Sequence, residues 1–241
     1  MKRTERHHLK ENELARLAMG TRQVFDTRGK PAIALALALL VAVVALLGYF
    51  TWQSRAETSA NRLLAEAMVV EGTRVGPPAA PDTPSQGPSF ATDREKREAL
   101  LAKLVQVIEQ YPSSEASLYA RSRAAATLLA LDRFPEAADM YRQVVDRAGD
   151  GLYGQMAQLG LAEAQARAGE YEPAITSFRE LSQRTDSALP MDGVLMQLGR
   201  AYLGAGQRTE AEQTFTRLIA EFPNSPFSDE ARRELETLAK T

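Results

Sequence analysis

A ten-residue pattern returns three times in this chain, without gaps and at a fixed interval of 37 residues. Arg133–Arg142 aligns with Glu170–Arg179 and with Gln207–Thr216. The alignment puts Ala137, Ala174 and Ala211 at one position, and Tyr141, Phe178 and Phe215 at another. Val144, Leu181 and Leu218 continue it. Upstream, Tyr111-Pro112-Ser113-Ser114 matches Phe222-Pro223-Asn224-Ser225 across 111 residues, three periods of 37. A repeat of this length marks stacked supersecondary units, none of which buries its apolar face alone.

Each unit resolves into two helices. The first carries small or apolar residues where its partner crosses, as in Leu198-Gly199 with Tyr202 or Leu161-Ala162 with Gln165. A break follows at Asp132-Arg133, Gly169-Glu170 or Gly206-Gln207, where glycine supplies the left-handed geometry that ends a helix. In the second helix an alanine stands four residues before an aromatic, so the two share a face. The layout predicts helices near 94–111, 114–131, 134–147, 151–168, 171–184, 190–205, 208–222 and 226–239, with the last one polar outside its stripe of Phe227, Ala231, Leu235 and Leu238. The expected fold is all-α: one N-terminal transmembrane helix, then a solenoid of about three full repeats with partial end units. No strand is expected. The extra length of each repeat is assigned to the turns around Ala148–Gly151 and Asp186–Pro190.

The second constraint is a run of 24 residues without a charge between Lys30 and Arg55. At ~1.5 Å per helical residue, Pro31–Trp52 covers roughly 33 Å, enough for a ~30 Å hydrocarbon core. Pro31 sits in the first turn, where its missing N–H costs nothing, and Tyr49, Phe50 and Trp52 gather at the far end as interfacial aromatics do. A cleaved signal peptide has a shorter apolar core and a small-x-small site; Tyr49–Gln53 is a poor cleavage sequence, so an uncleaved anchor is expected. Residues 1–30 hold eight Lys/Arg against four acids, whereas the first 30 residues after the span hold only Arg55, Arg62 and Arg74. The positive-inside rule then keeps the amino terminus cytoplasmic and exports the rest across the inner membrane into the periplasm.

The expected organisation is therefore a basic tail at 1–30, a span at 31–52, a stalk or first array helix at 53–71, a Pro/Gly-rich linker or loop at 72–92, and the repeat domain at 93–241. The tail has a rough stripe of Leu9, Leu14 and Leu17 and reads as a solvated basic segment near anionic headgroups, with a small docking helix as the alternative. In the linker, a PxxP ligand across Pro78, Pro81 and Pro84 competes with a plain extended spacer, the commoner meaning.

Composition removes most catalytic classes. The chain has no cysteine, and its two histidines, His7 and His8, precede the apolar run. The domain beyond the span therefore has no Ser-His-Asp triad, no thiolate and no imidazole for zinc. Removing the tail's eight basic and four acidic residues from the chain's 29 and 31 leaves 21 and 27, a net charge of −6, poor for general nucleic-acid binding. Gly204-Ala205-Gly206 stands at a helix end, not in a phosphate loop after a strand. The acid pairs Glu210/Glu212 and Glu234/Glu236 point apart on their helices. No cofactor, metal or catalytic residue is expected, and the chain is not expected to be an enzyme; an envelope enzyme is the distant alternative.

The third unit carries Leu198, Gly199, Tyr202, Ala211, Phe215 and the closing Pro223 at the spacing of the tetratricopeptide repeat, which the segment from about 94 to 240 resembles. The first two units depart from it in lacking the first-helix tyrosine, and the usual period of about 34 is stretched. The resemblance implies a concave groove lined by the first helices: Tyr119, Ser122 and Ala126, then Met156, Leu159 and Glu163, then Met196, Arg200 and Leu203. Met and Leu beside one acid and one base suit an apolar peptide or partner helix; the alternative is that several of them complete the core. The set lacks the Lys and Asn that clamp a chaperone's terminal carboxylate in eukaryotic members.

The whole architecture resembles the ancillary SecYEG translocon subunit family, single-span inner-membrane proteins with a periplasmic repeat domain. That resemblance implies a protein–protein interaction scaffold that serves protein export, chaperone handover or envelope assembly, with translocon, chaperone or envelope-assembly proteins as partners. The Pro-rich insertion at 72–89 departs from that compact pattern. The Arg6–Leu14 tail and the Tyr111–Ser114 turn also resemble a related group of anchored bacterial repeat proteins. Phe222–Ala231 is similar to the inter-repeat turn of the outer-membrane assembly lipoprotein, which the lack of cysteine excludes, and of the Tol-Pal coordinator. A permanent structural subunit of an envelope complex is the alternative.

Overall fold

The computed structural model describes residues 3–76, 89–184 and 188–240. Among them are α1 (Arg3–Gly72), α2 (Asp93–Gln110), α3 (Glu115–Ala130), α4 (Phe134–Ala148), α5 (Leu152–Arg167), α6 (Tyr171–Gln183), α7 (Met191–Gly204), α8 (Arg208–Glu221) and α9 (Ser228–Lys240). Two two-residue strands, β1 (Arg74–Val75) and β2 (Ser89–Phe90), correct the strand-free expectation. They pair in parallel, Arg74 against Ser89 and Val75 against Phe90, and the Gly76 N–H adds a bond to the Phe90 carbonyl at 2.9 Å. Short pairings of this kind leave little trace in hydrophobic periodicity. The PxxP prolines, and Asp186 and Ser187 of the turn before α7, lie outside the described residues, as do the side chains of the Leu9–Leu17 stripe and of His7 and His8.

The chain divides after Arg55 into two compact units. In the first, every side chain from Ala34 to Arg55 is exposed, including Leu35, Leu40, Leu47, Phe50 and Trp52. This stretch belongs to a helix that is long and apolar enough to cross a membrane.

The second unit, from Ala56 onward, is the helical array. Its leading segment is the end of α1. Ala60 and Ala67, two turns apart, are fully buried in one core with Leu100, Leu104 and Val107 of α2 and Ala120 and Ala124 of α3, and Leu63, Leu64 and Met68 pack against it. Ion pairs reinforce the seam: Lys103 meets Glu66 at 3.2 Å, and Arg123 pairs with Glu71. The Glu57 carboxylate also accepts the Glu115 N–H at the start of α3, 3.1 Å away. Residues 56–72 thus take the place of a first helix, with α2 as its second.

The repeated break is built alike each time. Asp132, Gly169 and Gly206 are 37 residues apart and all take positive φ, 60°, 86° and 75°. The next residue's N–H then reaches back to a carbonyl five residues earlier: Arg133 to Leu128 at 2.9 Å, Glu170 to Gln165 at 2.8 Å, and Gln207 to Tyr202 at 2.8 Å. This is the Schellman closure that satisfies the last carbonyls of a helix. The turn shared by Tyr111–Ser114 and Phe222–Ser225 is also one structure: Ser114 N–H bonds the Tyr111 carbonyl at 3.1 Å and Ser225 N–H bonds that of Phe222 at 3.0 Å. Pro223 is exposed at its corner.

The repeat-defining residues form the core. Ala137, Ala174, Ala211, Val144, Leu181, Leu218, Phe178 and Phe215 are fully buried, and Tyr141, Leu198 and Tyr202 nearly so. Each buried aromatic or branched side chain contributes about 1.5–3 kcal/mol. Gly199 lets α7 meet Phe215; a Cβ there would lie 2.3 Å from the ring. Ala125 and Ala162, at the same repeat position, are fully buried. At the far end, α9 occupies a first-helix position with no second helix after it among the described residues. It buries Ala231, tucks Leu235 and Leu238 against the core beside Phe227, the residue just before it, and exposes charge.

Candidate partner-binding face

The first helices α3, α5 and α7 lie side by side, α3 touching α5 and α5 touching α7. On α3 and α5, Tyr119 and Met156 are one repeat apart and both exposed, 41% and 55%. Beside them stand Tyr153 and Leu152, from the first turn of α5 and also exposed. Ser122 is half-buried next to the Tyr153 hydroxyl. Partial burial raises the Tyr153 pKa, nearby Tyr119 adds to this, and hydrogen bonding with Ser122 offsets part of it. Tyr119, Ser122 and Tyr153 thus stand near one another on this face.

Sequence periodicity missed Tyr153 and Leu152 because both follow the Gly149–Gly151 breaker and have no aromatic or branched counterpart one repeat earlier. The available signal was local: Tyr153 precedes Met156 by three residues, so the two share a helix face.

Farther along, the face turns polar. Glu163, Arg167, Tyr171, Gln197 and Arg200 line a recess of about 380 Å³. Arg167 is tethered, with its guanidinium 4.7 Å above the Phe134 ring and 3.4 Å from Asp132. Arg200 pairs with Glu230 of α9. Ala166 and Ala201 complete its lining, so three charged side chains share the recess with apolar surface. Glu163 is half-buried, and its charge acts on Tyr141 beneath. Burial first, then Glu163, pushes the Tyr141 hydroxyl up to about 12, with Arg123 opposing.

One of the expected groove residues stands elsewhere, and two more are shared with the core. Met196 is fully buried, in the core that holds Phe215 and Leu218, and does not line a groove. The physical reason is α9. The repeat position of Tyr119 and Met156 is Gly193 on α7, and Phe227 comes within 3.6 Å of the Cβ that glycine lacks, closing that face. Leu159 and Leu203 are half-buried against the same core, so they are largely packing residues. Ala126 is half-buried.

The family model for the tetratricopeptide repeat-like domain matches residues 23–238. The chain belongs to that family. Its members generally mediate protein–protein contacts and are typically non-catalytic scaffolds. Among solved structures, MamA (residues 41 to the end) from Desulfovibrio magneticus RS-1 aligns at 14% identity and TM-score 0.44, covering 61% of this chain and 82% of its own. The nearly identical TPR-like repeats of a kinesin light chain candidate from Podosopora anserina align at 18% identity and TM-score 0.46, covering 73% and 91%. A glutamine-to-methionine variant of those repeats aligns at 18% and 0.47, covering 77% and 97%. No curated protein matches the chain.

Proposed function

We propose that this protein is a single-span adaptor of a bacterial inner membrane. Its amino terminus is cytoplasmic, and its repeat domain docks proteins on the periplasmic side during export, chaperone handover or envelope assembly. The observation that carries the docking role is the placement of exposed apolar bulk. Apart from Val69 and Val75, the large exposed apolar side chains described beyond Ala56 are Tyr119, Leu152, Tyr153 and Met156, all on the first helices of adjoining repeats. Aromatic and methionine side chains of this kind anchor helices or extended segments of a partner. The anchor rests on the uncovered apolar stretch Ala34–Trp52 and on the basic excess before it; translocon subunits, chaperones and envelope-assembly proteins are the partner classes this placement favours.

The test is in-cell photo-crosslinking from Tyr119, Tyr153 and Met156, with buried Met196 as the internal control. Adducts from the first three but not from Met196, with translocon subunits, chaperones or many exported chains, support a client-handling adaptor. One dominant adduct at fixed stoichiometry makes the protein a permanent subunit of a complex. No adduct from the three exposed sites refutes the face.

A further inference from the structure

The repeats contain their own control for a second site. At the junction of the α2–α3 turn, α3 and the end of α4, the first repeat places Ser113, Arg121, Gln143 and Arg147. One period later the same positions hold Asp150, Gln158, Glu180 and Arg184. In the second repeat the charges are answered internally: Arg184 lies 3.8 Å from Asp150, and Gln158 donates to Glu180 at 3.2 Å. In the first, both acids are replaced by neutral residues and the glutamine by arginine, taking these four positions from net −1 to net +2.

The two arginines converge. Arg121 Nη1 and Arg147 Nη1 donate to the same Pro112 carbonyl, at 3.2 and 2.7 Å, which puts the two nitrogens within 5.9 Å of each other. Arg147 also donates to the Ser113 carbonyl, and Arg121 to Ser117 Oγ and, at 3.1 Å, to Gln143 Oε1. All of these partners are neutral. Burial lowers the Arg121 pKa and the charge of Arg147 lowers it further, with no carboxylate among the causes. The Glu57 carboxylate accepts the Glu115 N–H, and neither arginine forms a described ion pair with it, with Glu115 or with Asp146, the acid next to Arg147 in the chain. Elsewhere in the array arginines commonly meet acids, as Arg97 does Asp93, Arg133 does Glu136, and Arg217 does Glu221.

We propose that Arg121 and Arg147 form an anion site that takes a phosphate group, from a lipid headgroup or from free phosphate. A guanidinium carries five N–H donors, and the bonds above engage three on Arg121 and two on Arg147. Two forks approaching from different helices suit a tetrahedral oxyanion, whereas one fork already satisfies a planar carboxylate. An incoming anion supplies the charge that Asp150 and Glu180 supply one repeat later. The site is separate from the Tyr119–Met156 face, so failure of the crosslinking test leaves it standing.

The experiment measures amide exchange at residues 113–121 of the full chain, in detergent micelles with inorganic phosphate against chloride at equal ionic strength, and in nanodiscs of phosphatidylcholine with or without phosphatidylglycerol. Ligand at ten times its dissociation constant slows exchange about tenfold where opening requires release. Ser113→Asp installs the second repeat's own acid and retains both arginines, so it abolishes protection without lowering the melting temperature; R121Q/R147Q abolishes it as well. Protection by phosphate in micelles assigns a soluble source. Protection confined to phosphatidylglycerol nanodiscs assigns the headgroup. No protection in either medium, or full protection in Ser113→Asp, overturns the site.

Discussion

Gly160, on α5, faces the ring of Tyr141 on α4 across the seam between the first and second repeats. A Cβ at Gly160 would lie 2.4 Å from Tyr141 Cζ and 2.6 and 2.8 Å from the two Cε atoms, meeting the ring broadside. Carbon atoms pack at about 3.5–4.0 Å, so Gly160→Ala must push α4 and α5 apart by roughly 1 Å or drive the ring from its site. Overpacking of this kind costs about 1–3 kcal/mol. Alanine returns up to about 1 kcal/mol in helix propensity. The ring is only 8% exposed and has little room to retreat, which favours the upper part of the overpacking range. The expected net loss is about 1–2 kcal/mol, and at about 2–4 °C per kcal/mol for a domain of this size the melting temperature falls by several degrees. Far-UV circular dichroism melts of the full chain read it. The decisive comparison is a double-mutant cycle with Tyr141→Leu: with the ring gone the added methyl has space, so the cycle should show at least about 1 kcal/mol of coupling. A Gly160→Ala protein that melts no lower than the native one, or an equal loss in both backgrounds, refutes the argument.

Alkaline pH should weaken the same seam. The Tyr141 hydroxyl ionises at about 12 when folded against about 10 when unfolded, so its contribution is complete below about pH 10 and is lost as pH rises through about 12, at up to about 1.4 kcal/mol per unit. Urea midpoints should fall more steeply over that window in the native protein than in Tyr141→Phe; parallel falls would assign the loss to other groups. At the repeated break, a Cβ on Gly169 would meet nothing within 4 Å, but its φ of +86° penalises any side chain. Gly169→Ala should cost about 1–2 kcal/mol, and Gly169→Asp less, since Asp132 already occupies that turn one repeat earlier; equal melting temperatures for the two would contradict this.

The array was legible in the sequence because its determinants are local and recur. Ala137 with Tyr141, Ala174 with Phe178, and Ala211 with Phe215 announce a buried helix face by spacing alone, and Gly169 and Gly206 mark where each first helix stops. The candidate face was legible only in part. Tyr119 and Met156 emerged because they keep the period. Met196 shares its repeat position with Ser122 and Leu159 instead and is buried, in a core against which Phe227, just before α9, packs, and no single-repeat pattern encodes that packing. The strands at Arg74–Val75 and Ser89–Phe90 were hidden for the opposite reason: a two-residue pairing across a Pro/Gly-rich segment has no periodicity to detect. The Arg121–Arg147 pair needed the structure to show that two arginines 26 positions apart share one carbonyl.

That small ladder also bears on how the protein tolerates change. By pairing Arg74–Val75 with Ser89–Phe90, the chain leaves the array and re-enters it at adjacent points, so the length of the segment between is uncoupled from the spacing of α1 and α2. Closing a flexible loop becomes harder only with the logarithm of its length, about 0.6 kcal/mol for each doubling. Insertions and deletions between the two strands should cost the array little stability, which thermal melts of length variants would show. The chain can therefore acquire new sequence at this place, whether a tag, an epitope or a tether, without reopening the problem of folding.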